Sequence, residues 1–219
     1  MTELHPALHA ARTHMVDSQV RPNQVSDSRV ILAMRELPRE AFAPAGTNAY
    51  ADTDIALGGG RFLLAPLVIA RMAQVALAGH PKKILVIGAG SGYGAAVLAL
   101  SGANVVALEE DTRLNTGALA KYAPNVVRVS GPLAKGWAAA APYDCIFIEG
   151  AIAKIPLDLA SQLAKPGRLV GILAQTNAPV GLGAIIIAEP GQDGFASRPL
   201  FDCTARILPA FQPAAVFEF

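Results

Sequence analysis

From residue 81 onward, short uncharged runs rich in β-branched residues alternate with stretches of helical period. The clearest run is ILVI at 84–87, the pattern of a parallel strand covered on both faces. Strands are predicted at 83–88, 104–109, 125–129, 143–148 and 168–173, with helices at about 91–100, 112–122, 133–140 and 156–164 between them. Pro166-Gly167 marks a turn ahead of the fifth strand. The rhythm then changes: 184–189 and 201–207 read as strands separated by the turn signal PGQDG, and 214–217 as one more. Upstream, 3–20 has Leu8, Ala11, Met15 and Val16 at helical spacing. Ser26 or Asp27 caps a short helix over 29–35, which Pro38 ends. Residues 44–62 read as a long loop, and 66–78 as a helix with proline near its start. The order predicts an α/β fold: a Rossmann-like, doubly wound, mainly parallel sheet with antiparallel C-terminal strands and an N-terminal helical extension. Residues 1–80 form that extension and 81–219 the core, together one compact unit.

The first strand runs into Gly88-Ala89-Gly90-Ser91-Gly92-Tyr93. Glycines permit positive φ and close approach of a ligand to the backbone, and a helix starting near Ser91 aims unpaired N–H groups at it. The spacing is G-x-G-x-G. Tyr93 stands where a dinucleotide fingerprint has its third glycine, which argues against NAD or FAD, and no P-loop is present. The next strand ends in Glu109, followed by Glu110, and Glu109 lies 21 residues beyond Gly88. That distance suits an acid receiving ribose hydroxyls. Turn and acid together point to S-adenosylmethionine.

Composition narrows the partners. With 219 residues, 53% hydrophobic, and a net charge of +1, nothing favours nucleic acid or an anionic membrane. Cys145 and Cys203 form no metal pattern, and Cys145 sits in an apolar strand as an inert thiol. The four histidines share no metal spacing. Free thiols and a charged N-terminus predict a cytoplasmic protein. The apolar stretches AAIIIAE and AAVFEF could form an interface, but the oligomeric state stays open.

Four ordered segments resemble the protein-L-isoaspartate O-methyltransferase family. They are MVDSQVRPNQVSDSRVILAMRELPREAFAP (15–44), ILVIGAGSGYGAAVLA (84–99), KGW with PYD (135–144), and KPGRLV (165–170). The resemblance implies a class I methyltransferase that transfers a methyl group from S-adenosylmethionine to the α-carboxylate of an isoaspartyl residue in a protein or peptide. It also implies an active-site loop of the form G-x-G-Q-T-I-S-x-P, whose serine helps hold the substrate carboxylate.

The chain departs from that pattern at three places. Aligned on Gly58, Gly60 and Pro66, its loop reads GGGRFLLAP, so Arg61 replaces the glutamine, Phe62 the threonine and Leu64 the serine. Each lost donor to a charged partner is worth roughly 1.5–3 kcal/mol. After the third strand, Ser130-Gly131 stands where the family has an aspartate on the adenine side of the cofactor, leaving Ser130 and backbone groups to hold that end. Glu149 ends the fourth strand, where the family carries small or hydroxyl residues. There it repels a substrate carboxylate, accepts a proton from another nucleophile, or pairs with Arg61 to fill the vacated pocket. Arg61 in turn could bind an acidic substrate through its guanidinium fork. Three functions remain compatible with this pattern: isoaspartyl methylation, methylation of a different acceptor, and a non-catalytic protein that keeps the cofactor.

Overall fold

A computed structural model describes residues 6–175, 181–192, 194–204 and 206–213. The predicted strand at 214–217 and the first residues of the predicted helix at 3–20 lie outside them.

The helical extension comprises α1 (Pro6–Met15), which continues as a π-helical turn Val16–Val20, α2 (Ser28–Glu36) and α3 (Pro66–Leu77). Asp27 caps α2 by accepting from the Arg29 N–H, as a helix-start aspartate should. Pro66 opens α3. The segment predicted as a bare loop contains a hairpin, β1 (Ile55–Gly58) and β2 (Arg61–Leu63). Its turn uses Gly58, Gly59 and Gly60, all at positive φ (96°, 57° and 72°). Such a turn leaves two flanking segments too short for strands to show by alternation.

The main sheet holds β3 (Lys83–Ile87), β4 (Asn104–Leu108), β5 (Val127–Val129), β6 (Tyr143–Ile152), β7 (Leu163–Ala174), β8 (Leu182–Gly191) and β9 (Gly194–Thr204). Their order is β5-β4-β3-β6-β7-β8-β9; the first five pair in parallel, and β8 and β9 join antiparallel. This is the predicted fold class. Strand alternation feeds two cores: Ile84 and Val86 pack with Met15, Val30, Met34 and Ile69 of the extension, while Leu85 and Ile87 pack with Leu133, Leu159 and Leu208. The helix after the glycine turn, α4 (Tyr93–Leu100), is buried from Tyr93 through Ala99, as expected of a helix apolar all round.

The other connecting helices are shorter than predicted. The stretch 112–122 gives a 3-10 turn at Thr112–Leu114 and α5 (Ala118–Tyr122), separated by Gly117 at φ 79° and by the Asn115 and Thr116 side chains, which accept local backbone N–H groups. The stretch 133–140 splits into two 3-10 turns around Gly136, at φ 61°. The stretch 156–164 is a single 3-10 turn, Leu157–Gln162, running into β7. Among the described residues the last strand is β9, ending at Thr204 and not at 207; residues 206–211 instead turn back over the sheet, where Ile207 bridges Ala151.

Candidate active site

Strand register assembles the site. Ile87 stands opposite both Leu108 and Ile148, and Leu108 opposite Val129. The next residue on each strand is therefore level: Ser130, Glu109, Gly88 and Glu149 form a row along the carboxyl edge of the sheet. Strand order reverses between β3 and β6, so this is the crevice in which doubly wound sheets bind ligands.

Gly88, Gly90 and Gly92 all have positive φ (74°, 54° and 99°), a conformation that carries the chain sharply from β3 into α4. Ala89 and Ser91 are buried between them, and Ser91 Oγ has no hydrogen-bond partner among the described residues. Tyr93 is also fully buried, but its ring points into the helical layer, edge-on to Phe42 (centroids 5.5 Å apart) and under the Arg39 guanidinium. The ring is therefore a core group, since a large ring on the first turn of a fully buried helix is drawn inward.

Glu109 is 1% exposed. Its Oε2 accepts from the Gly90 N–H at 2.9 Å, which ties the acid to the turn. Its Oε1 accepts from the N–H groups of Glu110 (2.9 Å) and Asp111 (3.0 Å) and from Arg61 Nε (3.2 Å). Arg61 is itself 3% exposed and also donates from Nη2 to Glu110 Oε1 at 2.6 Å. Its Nη1 has no partner among the described residues. Arg61 therefore pairs with the strand-end acids of β4; the pairing with Glu149 considered from the sequence does not form.

Glu149 is inserted against the first turn of α4, where the Gly94 N–H is directed at its carboxyl. A Cβ on Gly94 would lie 2.7 Å from the Glu149 carboxyl carbon, so any larger residue there has to push the carboxyl aside. Burial pushes the Glu149 carboxyl up to about 8, with the Gly94 N–H and the Arg39 charge opposing. At neutral pH the group is mainly protonated. That burial weakens the expected repulsion of a substrate carboxylate, while a carboxyl raised this far stays compatible with proton transfer.

Leu64, in the position of the family serine, is 4% exposed and packs in the helical core. Its carbonyl accepts from Arg39 Nη2 at 2.6 Å, while Arg39 Nε donates to the Ala49 carbonyl at 2.7 Å. Arg39 thus clamps both ends of the hairpin loop from inside, and burial holds its guanidinium below the ordinary value. Asp52 accepts from the Leu67 N–H in the first turn of α3, and Asp144 from the N–H groups of Lys82 and Lys83; both are structural.

Beside Glu109 lies an open groove of about 230 Å³, lined by Glu109, Thr112, Asn115, Arg128, Val129 and Ser130. Ser130 is exposed there, and Gly131 lies under the Trp137 ring. Sequence reasoning missed two residues. Arg128 donates from Nη2 to the Gly90 carbonyl at 2.9 Å, and its alternation within the strand VRV was the available signal. Leu208 fills the crevice between β3 and β6: a Cβ on Gly88 would lie 3.0 Å from Leu208 Cδ1, and one on Gly150 2.6 Å from Leu208 Cγ. No local pattern announces that role.

A nucleoside-bearing cofactor fits this set at its ribose and adenine end. The acid is in register, the glycines let a ligand approach, and Ser91 Oγ and Arg128 Nη1 are buried without partners, which is unusual for buried polar atoms unless a ligand completes them. The groove is smaller than the roughly 300–1,000 Å³ of typical small-molecule sites. Leu208 and the hairpin fill the remainder.

The profile of the family described as protein-L-isoaspartate(D-aspartate) O-methyltransferase (PCMT) matches residues 10–180. The chain belongs to the protein-L-isoaspartate O-methyltransferase family. A relative of that name from Methylorubrum extorquens (strain PA1) is 40% identical over 195 residues, covering 86% of this chain and 83% of the relative. Another from Methanoregula boonei is 38% identical over 167 residues, covering 73% and 76%. Among solved structures, one named protein-L-isoaspartate O-methyltransferase superposes with a TM-score of 0.74 at 20% identity, covering 91% of this chain and 65% of that one. A Plasmodium falciparum structure named for the same enzyme in complex with S-adenosyl-L-homocysteine gives 0.74 at 18% identity, covering 91% and 98%. At such identities the structures establish the shared methyltransferase fold. Among the described residues no helix is long and apolar enough to cross a membrane.

Proposed function

We propose that this protein is an S-adenosylmethionine-dependent methyltransferase acting on the α-carboxylate of isoaspartyl residues in proteins or peptides. The observation that carries the reading is the row of Gly88, Glu109 and Ser130 at the carboxyl edge, with Glu109 bonded to the turn at the Gly90 N–H. When bound, S-adenosylmethionine would supply a methyl group on a sulfonium, whose thioether leaves readily enough for a carboxylate oxygen to attack the methyl carbon unaided. Glu109 receives the ribose hydroxyls, Ser130 and the neighbouring backbone take the adenine side, and the N–H groups of the turn with Ser91 Oγ face the remainder. No side chain need act as a base, which suits a site in which the buried Glu149 carboxyl is held mainly protonated at neutral pH. The chain's task is positioning and exclusion of water. The hairpin β1–β2 and residues 206–211 cover the crevice for that purpose: Leu57 lies on Gly90, Pro209 on Gly60, and the Arg206 guanidinium over the Phe62 ring at 4.6 Å.

The apolar side chains of Phe62 and Leu64 favour a second reading, a methyltransferase with a different acceptor. Methyl transfer from labelled S-adenosylmethionine to an isoaspartyl peptide, with the aspartyl peptide as control, separates the two. Label on the isoaspartyl peptide alone supports the first reading; cofactor binding without transfer to either peptide overturns it and leaves a different acceptor or a non-catalytic role. Under the first, Phe62→Thr with Leu64→Ser restores the loop donors and raises the rate by about tenfold or more. No gain would show that the missing loop hydroxyls do not limit the rate. We also place the protein in the cytoplasm, on its free thiols.

A further inference from the structure

We propose that Arg61 sets the affinity of this site for its cofactor, because it occupies the ribose-binding carboxylate and must be displaced by the ribose; the inference rests on the S-adenosylmethionine reading above. Counting acceptor sites leads to it. A carboxylate offers about four lone-pair positions, two per oxygen. Glu109 Oε2 carries one donor, the Gly90 N–H, and can take one hydroxyl more. Oε1 already carries three: the Glu110 N–H, the Asp111 N–H and Arg61 Nε. A ribose diol brings two hydroxyls, and Oε1, already crowded with three donors, can take the second only in exchange for one of them.

Two of those donors are backbone groups fixed by the end of β4. Arg61 alone comes from elsewhere, the second strand of a hairpin outside the main sheet. The hairpin rests on the acids and the turn through its tip: a Cβ on Gly59 would lie 2.9 Å from Asp111 Oδ2, and one on Gly90 3.1 Å from Leu57 Cδ1. When Arg61 lets go of Glu109 it keeps Glu110 Oε1, at 2.6 Å, as an anchor at the rim, since that carboxylate is 37% exposed. The glutamine that the family pattern carries at this position has no charge to hold against two carboxylates. Arg61 is thus a specificity-determining residue that makes ribose binding compete with an internal ion pair.

The test is calorimetric titration of the wild type, R61Q and R61K with S-adenosylhomocysteine, adenosine and 2′,3′-dideoxyadenosine, with thermal unfolding to verify that each variant is folded. R61Q is expected to bind S-adenosylhomocysteine and adenosine about tenfold more tightly than the wild type, a change of about 1.4 kcal/mol. It should gain nothing for 2′,3′-dideoxyadenosine, which lacks only the diol. R61K keeps a charge but loses the fork that reaches both acids, and should show a smaller gain of the same kind, so the inference stays testable where R61Q does not fold. Equal or weaker binding of the diol ligands by the variants, or an equal gain for the dideoxy ligand, overturns the role of Arg61 and leaves the cofactor assignment standing. No binding of S-adenosylhomocysteine by any of the three proteins overturns the cofactor assignment and Arg61's role with it.

Discussion

Glu149 shows what one buried side chain does to the molecule around it. Its carboxyl lies under the first turn of α4, and burial raises it to about 8, above the ordinary 4.5. The native state therefore holds this proton through a pH range in which the unfolded chain has released it. The stabilising contribution is complete below about 4.5 and is lost as pH rises through about 8, at up to about 1.4 kcal/mol per pH unit. Glu149→Gln removes the titration. Its melting temperature should fall less than that of the wild type between pH 5 and pH 9, and parallel curves for the two proteins would refute the assignment. Gly94 is the counterpart residue. Gly94→Ala drives a methyl group into the carboxyl and should cost about 1–3 kcal/mol, read from urea unfolding at pH 6.

Among the elements, the hairpin β1–β2 and residues 206–211 work as a pair. They touch each other through Pro209 against Gly60 and Arg206 over Phe62, and both reach the glycine turn. Neither has a large core of its own, so each is held by a few anchors. Arg39 is the internal one for the hairpin loop, binding the carbonyls of Ala49 and Leu64. Arg39→Met leaves two buried carbonyls without their charged donor and should cost about 3–5 kcal/mol, with protease cleavage concentrated in 49–63. Leu208 anchors the other segment. Leu208→Ala should cost about 2–3 kcal/mol in urea unfolding and speed amide exchange at Arg206–Phe211 relative to β3. Unchanged exchange there would mean that the segment is held by something other than Leu208.

Across the whole molecule, the helical extension and the sheet share one apolar core, with Met15, Val30 and Ile69 against Val86 and Phe147. We therefore expect residues before and after the boundary at 80 to unfold in one step. Trp137 sits on the opposite face of the sheet, so its fluorescence and the far-UV helical signal report on different layers. Coincident urea transitions are expected. Two separated transitions would show that the extension is an independent unit.

What the sequence determined by itself are the features that depend on neighbours along the chain. The uncharged β-branched runs specify buried parallel strands, three alternating glycines specify the turn, and the spacing from Gly88 to Glu109 specifies an acid one strand away. Those local facts marked Gly88, Glu109 and Ser130 as residues that follow strands, and the parallel pairing of β3, β4 and β5 set them in a single row. The short connecting helices were overestimated because periodicity registers apolar spacing but not the competing side-chain bonds of Asn115 and Thr116. Tertiary structure alone decided which partners the charged residues took. Arg61 is 48 positions from Glu109 and could as well have met Glu149; the fold of the hairpin over the β4 end made the choice. Burial under α4, and not residue type, turned Glu149 from an anion into an acid that keeps its proton. Leu208 is an ordinary leucine in sequence and becomes the filler of the crevice only because the chain returns across the carboxyl edge. Electrostatic partners and enclosed volume depend on distances through space, and no pattern along the chain encodes those before the chain has folded.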